Sequence, residues 1–432
     1  MEDTHSEGTV ELEKGRKDTR SSILKRGLQN PGEDFLEYCE KITDRWATEM
    51  KNTPLAFVRE WIRSLSAIVR KTPAKAIATW CQRDGNLSIR LLKYEVRIDS
   101  YHTAVKSTLQ ECMLHIRSKV LFNIDLPKSC FQLPDDKDPQ DETTRGYGIF
   151  SFATDSDSDD FGESGSRAAS SILLQALSKL GALCRWDATS NSLQWDTNVL
   201  SQWLMDVSLA WEYVYILMHL LALPARGTEE ELWQHANAPE SGRHLFISPS
   251  LQTLVTKSNY NKTSSSTGIY KTIIRVIPHQ VSEAITILLG MVRPIELVAI
   301  LQFQCSTPAQ AQNVTHLYQT RLFATMGLAW DSERMSLILR TWFMRHLGVP
   351  FSMRLHRQFA QALQRKFLSY KRPNPMAEVA NMALGHTQRV AEMHYAIETE
   401  DLAVPRSLLE RFEAVGRDWI EWHGVPVMAE KK

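Results

Sequence analysis

The chain has 432 residues, 43% of them hydrophobic and 23% charged, with 50 basic side chains balancing 50 acidic ones. That length supports two or three domains with real cores. A net charge of zero excludes a simple polybasic coat for nucleic acid, but it leaves room for opposed local fields. The cysteines Cys39, Cys81, Cys112, Cys130, Cys184 and Cys305 are scattered and form no CxxC pair, which argues against a zinc ribbon, a thioredoxin-type site or a disulfide scaffold.

Residues 1–34 are polar and charged and read as a disordered N-terminal tail, without the apolar core of a secretory leader. From residue 35 the apolar side chains recur at intervals of three and four, as in Phe57, Trp61, Leu65 and Ile68. This spacing predicts a bundle of about four helices within a domain spanning 35–133. Arg59, Arg63, Arg70, Lys71, Lys75, Arg90, Lys93 and Arg97 are interleaved with it. They form either solvated helix faces or a surface that grips a DNA backbone.

Residues 134–169 concentrate the acid, with Asp135, Asp136, Asp138, Asp141 and Glu142 followed by the DSDSDD run at 155–160. Like charges at this density repel and predict an extended, flexible linker. Asp155, Asp157 and Asp159 imitate the start of a calcium-binding EF-hand loop. Asp160 stands where the loop needs Gly, however, and Ser166 where it needs Glu. The Asp160-Phe161-Gly162 triplet has no Gly-rich phosphate loop or HRD segment beside it, which excludes a kinase.

Beyond residue 170 a helical pattern runs through Leu173, Leu177 and Leu180 to a stop at Pro224. Its apolar run at 209–223 is interrupted by Glu212 and His219 and is shorter than the ~20 residues a membrane span needs, so no membrane partner is expected. Three strand-like runs, 243–248, 251–258 and 271–277, predict a small antiparallel sheet, with Lys262 in the polar loop before the third. Helical patterning returns after Pro278 and closes with an amphipathic helix at 404–422, carrying Leu408, Leu409, Phe412, Val415 and Trp419. The expected fold is therefore mainly α. An N-terminal helical bundle precedes a helical domain at 170–432 that carries a small antiparallel three-stranded sheet.

Chemistry-bearing residues cluster in the second half. Arg226 sits in Pro224-Ala225-Arg226-Gly227-Thr228-Glu229, just past the apolar helix. Lys262 lies in Tyr260-Asn261-Lys262-Thr263, and Arg275 and Pro278 follow. Arg354, His356 and Arg357 open a basic amphipathic helix that continues through Arg365 and Lys366. His386 follows Leu384-Gly385, and Tyr395 follows His386 within a Val-Ala-x-Met-x-Tyr-Ala segment. Taken singly, each has an ordinary reading as a cap, a solvated lysine or a surface helix.

Their order resembles the catalytic domain of the tyrosine recombinases, the phage-integrase-like enzymes that break and rejoin DNA. The local style is similar to the crypton-type recombinases of eukaryotic, especially fungal, mobile elements, including the Val292-Arg293-Pro294 segment. The resemblance covers residues 173–402, and the preceding helical region stands where a core-DNA-binding domain would. It implies that Tyr395 is the nucleophile of a 3′-phosphotyrosine intermediate, a covalent route needing neither cofactor nor metal. Arg226 and Arg357 would clamp the non-bridging oxygens with their planar, permanently charged forks. Lys262 would protonate the 5′-oxygen leaving group, and His386 would donate to the phosphate.

Many family members carry His where this chain has Arg354, so His356 or Arg354 is the candidate proton acceptor or phosphate contact. Lys257 is a weaker rival to Lys262, Arg275 matches a family position with a structural role, and Lys257, Arg275, Arg365 and Lys366 are candidate DNA contacts. The implied partners are double-stranded DNA and further copies of the chain, as a dimer or tetramer, in the nucleus. The alternative is a recombinase-derived DNA-binding or regulatory protein whose chemistry has decayed.

Overall fold

The computed structural model describes residues 78–127 (other than 84), 142–150, 166–258, 272–368 and 406–428, together with a few isolated positions. Two units divide the chain, Met1–Ala76 and Ile77–Lys432, and the second contains almost all of the described residues. It is mainly α, with small antiparallel sheets.

The second unit opens with a three-stranded meander, β1 (Ala78–Arg83), β2 (Asn86–Leu91) and β3 (Tyr94–Arg97). This corrects the expectation of uninterrupted helix there. Asp84-Gly85 is a hairpin signal, Gly85 takes a φ of +77°, and Leu87, Ile89 and Leu91 alternate with Ser88 and Arg90 at the strand period. Helix α1 (Ile98–His115) follows and loosens into a π-helical turn, Ile116–Val120.

The next element is α2 (Ser166–Leu180), and a hairpin of β4 (Cys184–Asp187) and β5 (Ser192–Trp195) separates it from α3 (Thr197–Leu221). The sequence reading ran these helices together. The break is local: Gly181 and Asn191 take left-handed φ angles, and the Asp187 carboxylate accepts from the Thr189 amide to close the turn.

Helix α3 is the centre of the core. Its N-terminus is capped by Asp196, whose carboxylate accepts from the amides of Asn198 and Val199, and its buried face includes Trp203, Trp211, Val214 and Leu217. Helix α1 packs along it, and the Trp203 indole donates to the Val120 carbonyl at 2.9 Å. Two long apolar stretches, Thr197–Leu221 and His279–Phe303, match a membrane span in length and composition, but 67% and 78% of their apolar windows are buried inside the fold.

After the short turn α4 (Gly227–Glu230) comes the anticipated sheet, β6 (Leu245–Ser248), β7 (Thr253–Ser258) and β8 (Ile273–Val276), antiparallel in the order β6-β7-β8. Helices α5 (His279–Ile287), α6 (Arg293–Phe303) and α7 (Pro308–Thr320) lead to a two-residue hairpin, β9 (Ala324–Thr325) with β10 (Leu328–Ala329). Helix α8 (Ser332–Leu347) starts at an Asp331 cap and ends at Gly348 in the left-handed conformation.

Helix α9 (Met353–Phe367) buries Met353, His356, Phe359, Ala360 and Leu363 on one stripe and exposes Arg354, Arg365 and Lys366 on the other. Helix α10 (Arg406–Trp422) docks on β8 of its own chain, burying Leu408, Phe412, Val415 and Trp419. Gly416 permits this approach, since a Cβ there would lie 2.8 Å from Val276 Cγ2.

Within the acidic stretch expected to be a flexible linker, the described residues are anchored. Asp138 pairs with buried Arg243 at 2.5 Å and accepts from the Ile247 amide at 2.8 Å. The Asn237 side-chain amide donates to the carbonyls of Glu142 and Thr144. A lone carboxylate facing a buried guanidinium is held by that pairing, whatever its acidic neighbours do.

Candidate functional site

The site begins at the end of α3. The chain leaves the helix through Leu223, which takes a left-handed φ of 60°, and turns through Pro224 and Ala225 to Arg226. Arg226 is extended and caps α4 through its carbonyl, which accepts from the amides of Glu229 and Glu230 at 2.9 Å each. Gly227 is closely packed: a Cβ there would lie 3.0 Å from Ser332 Cβ and 3.2 Å from Met353 Sδ. The start of α4 is thereby pressed against the first residue of α9.

Two acidic side chains behind Arg226 are buried and each has a fixed partner. Glu229 forms a bidentate pair with Arg275 of β8, at 2.5 Å and 3.3 Å, while Arg275 Nε donates to the Leu223 carbonyl at 2.8 Å. Glu230 accepts from His219 Nδ1 at 2.7 Å and from the Ala225 amide at 3.3 Å. Both carboxylates therefore hold the turn that presents Arg226. The Arg-Gly-Thr-Glu motif is a structural unit that carries the partly buried Arg226 guanidinium.

Arg357, on α9 one turn after Met353, is partly buried, like Arg226. Burial, then the charges of Arg226 and Arg275, lower its pKa to about 10, against the opposing pull of Glu229 and Glu230. Two guanidiniums from distant parts of the chain thus lie within each other's field. Such a concentration of positive charge in a partly dry setting favours an oxyanion with more than one free oxygen, as in a phosphate diester.

The remaining candidates divide by position. Arg354 is exposed on the outer face of α9, whereas His356 is fully buried. Burial, then the neighbouring His219, His423 and Arg357, hold the His356 imidazole pKa well below its ordinary value. Its Nε2 meets the Tyr101 hydroxyl at 3.3 Å, and its ring lies 5.1 Å from that of His219. Arg275, counted among the DNA contacts, is 1% exposed and committed to Glu229 and Leu223, so it belongs to the scaffold.

Lys257 on β7 lies over the Phe246 ring at 5.3 Å, its ammonium pKa lowered by burial and then by Arg243. Arg365 and Lys366 are exposed, and Lys366 lies 5.6 Å from the Trp80 ring centroid. Lys262, His386 and Tyr395 lie outside the described residues.

Sequence reasoning missed the support beneath the arginines, namely Glu230, His219, Tyr101 and His423. The available signal was His219 itself, a polar residue interrupting an apolar helix shortly before the arginine motif. Neither family models, characterised proteins nor solved structures include a match to this chain.

Proposed function

We propose that this chain cuts and rejoins duplex DNA at specific sites in the manner of a tyrosine recombinase. The supporting observation is that Arg226 and Arg357 lie within each other's electrostatic field beside the buried Glu229–Arg275 pair, with Gly227 packed on Met353, one turn before Arg357. In this reading Tyr395 gives its phenolic proton to water and its oxygen attacks a phosphodiester held by the two guanidiniums. The bond from phosphorus to the 5′-oxygen breaks, Lys262 supplies the proton to that oxygen, and a 3′-phosphotyrosine remains. His386 donates to a non-bridging oxygen, and preorganised charge on the phosphorane supplies the main rate enhancement. The bond energy is conserved in the phosphotyrosine, so rejoining requires only attack by a 5′-hydroxyl. Several copies act together on DNA, in the nucleus.

A nicked suicide substrate tests this reading, because the short 5′ fragment diffuses away and traps the adduct. Wild type is expected to form a covalent protein–DNA species and Tyr395→Phe none. Absence of adduct from both, with DNA binding intact, rejects the chemistry. That outcome would favour the second reading, a DNA-binding protein without catalysis. It is motivated by exposed Arg354, which stands where many family members carry His, and by His356, which is buried with its Nε2 facing the Tyr101 hydroxyl.

A further inference from the structure

A buried polar chain runs from the last helix to the arginine pair. His423, at the end of α10, approaches the Trp419 carbonyl through Nδ1 at 2.8 Å. A carbonyl can only accept, so Nδ1 carries the proton. Burial keeps the His423 ring neutral, with a pKa lowered to about 3, which leaves its Nε2 as an acceptor. That atom faces the Tyr101 hydroxyl at 3.4 Å, and the Tyr101 oxygen in turn faces His356 Nε2 at 3.3 Å. The direction is thereby fixed: His356 donates to Tyr101, Tyr101 donates to His423, and His423 donates to the backbone of α10.

His356 directly precedes Arg357, and α9 has no side-chain cap at Ser352. A polar anchor on the first turns of α9 is the bond from His356 to Tyr101, beside the packing of Met353 on Gly227. On the other face of His356 stands His219, which holds Glu230 and through it the amide next to Arg226. Both arginine-bearing segments thus lean on one buried chain whose far end is α10.

We propose that Tyr101 and His423 are positioning residues for Arg357, so that the contact of α1 with His423, just past α10, sets the geometry of the arginine site. This inference rests on the reading of Arg226 and Arg357 as phosphate ligands. Tyr101→Phe keeps the ring stacked with Phe343 and edge-on to Phe359 and deletes only the link. Thr108→Val, on the same helix, is the control, since it removes the hydroxyl that accepts from the Trp342 indole at 2.8 Å and has no part in the His356–Tyr101–His423 chain.

The test uses the full chain and a random-sequence DNA duplex, measuring affinity against salt. Arg357→Ala is expected to reduce the salt slope by about 1. Tyr101→Phe is expected to reproduce that reduction, as is His356→Phe, whereas His356→Gln, which retains an N–H donor, recovers the wild-type slope. Thr108→Val lowers thermal stability without changing the slope. If Arg357→Ala lowers the slope while Tyr101→Phe behaves like Thr108→Val, the positioning role is overturned and the phosphate reading survives. If Arg357→Ala leaves the slope at its wild-type value, both are overturned.

Discussion

Replacing Arg275 with Met separates a scaffold role from a DNA-contact role. Arg275 donates to the Leu223 carbonyl at 2.8 Å and to both oxygens of Glu229, which is itself 2% exposed. Methionine fills much of the volume but leaves the Glu229 carboxylate buried beside a lost partner. It also frees a carbonyl at a residue already in the left-handed region, with a φ of 60°. Breaking a buried pair from one side costs about 3–5 kcal/mol. At the roughly 2 °C per kcal/mol that suits larger domains, this lowers the melting temperature by roughly 6–10 °C.

Glu229→Gln alone is expected to cost a similar amount, since it strands the guanidinium. The double variant is expected to lose clearly less than the sum, because neither charge is left unpaired. Calorimetric melting of the four proteins, with DNA affinity against salt measured below the transition, reads both quantities. A loss under about 1 kcal/mol for Arg275→Met, together with a salt slope reduced by about 1, would refute the reasoning and return Arg275 to the DNA surface.

Other perturbations probe the packing and the buried histidines. Gly416→Ala gains about 1 kcal/mol in helix propensity, yet its Cβ would meet Val276 Cγ2 at 2.8 Å. Overpacking costs about 1–3 kcal/mol, so denaturant unfolding is expected to show a net loss that Val276→Ala partly restores. Gly227→Ala is expected to weaken DNA binding as well as stability, because Ser332 and Met353 must yield and Arg226 moves with them. Burial holds His235 and His423 at pKa values of about 3 and His244 at about 4, and lowers that of His356. Below about pH 6.5 the unfolded imidazoles bind protons that the folded ones refuse, so these groups remove stability as pH falls from about 6.5 toward 4. The limit is ~1.4 kcal/mol per pH unit for each histidine. Glu212, Glu283 and Glu296, raised by burial, act in the opposite sense at the acid end. Melting temperature against pH is expected to fall on acidification, less steeply in His423→Gln, and a flat profile from pH 7 to 5 would contradict the assignment.

The sheet of β6, β7 and β8 was legible because short Ile- and Val-rich runs stand between turn residues. The meander at 78–97 was not, since the helical spacing upstream was carried across Asp84-Gly85 and outweighed the alternation of Leu87, Ile89 and Leu91. Arg226 and Arg357 stood out in sequence, and in the fold each lies within the other's electrostatic field. What pattern could not supply was orientation. Successive helical residues point about 100° apart, so His356 faces the core, Arg357 the rim and Arg354 the solvent, although all three share one basic run. Arg275 sits on a strand buried on both faces, where alternation is lost, and its partner Glu229 lies on another element.

The account depends on Arg226 and Arg357 serving one phosphate. A double-mutant cycle on duplex DNA affinity, with Arg226→Ala, Arg357→Ala and the double variant at a fixed low salt concentration, tests this directly. Each single change is expected to dismantle most of the site, so the double variant should fall short of additivity by about 0.5–3 kcal/mol. Strict additivity within about 0.3 kcal/mol would mean that the two arginines act on separate phosphates or on none, and the proposed site would not exist.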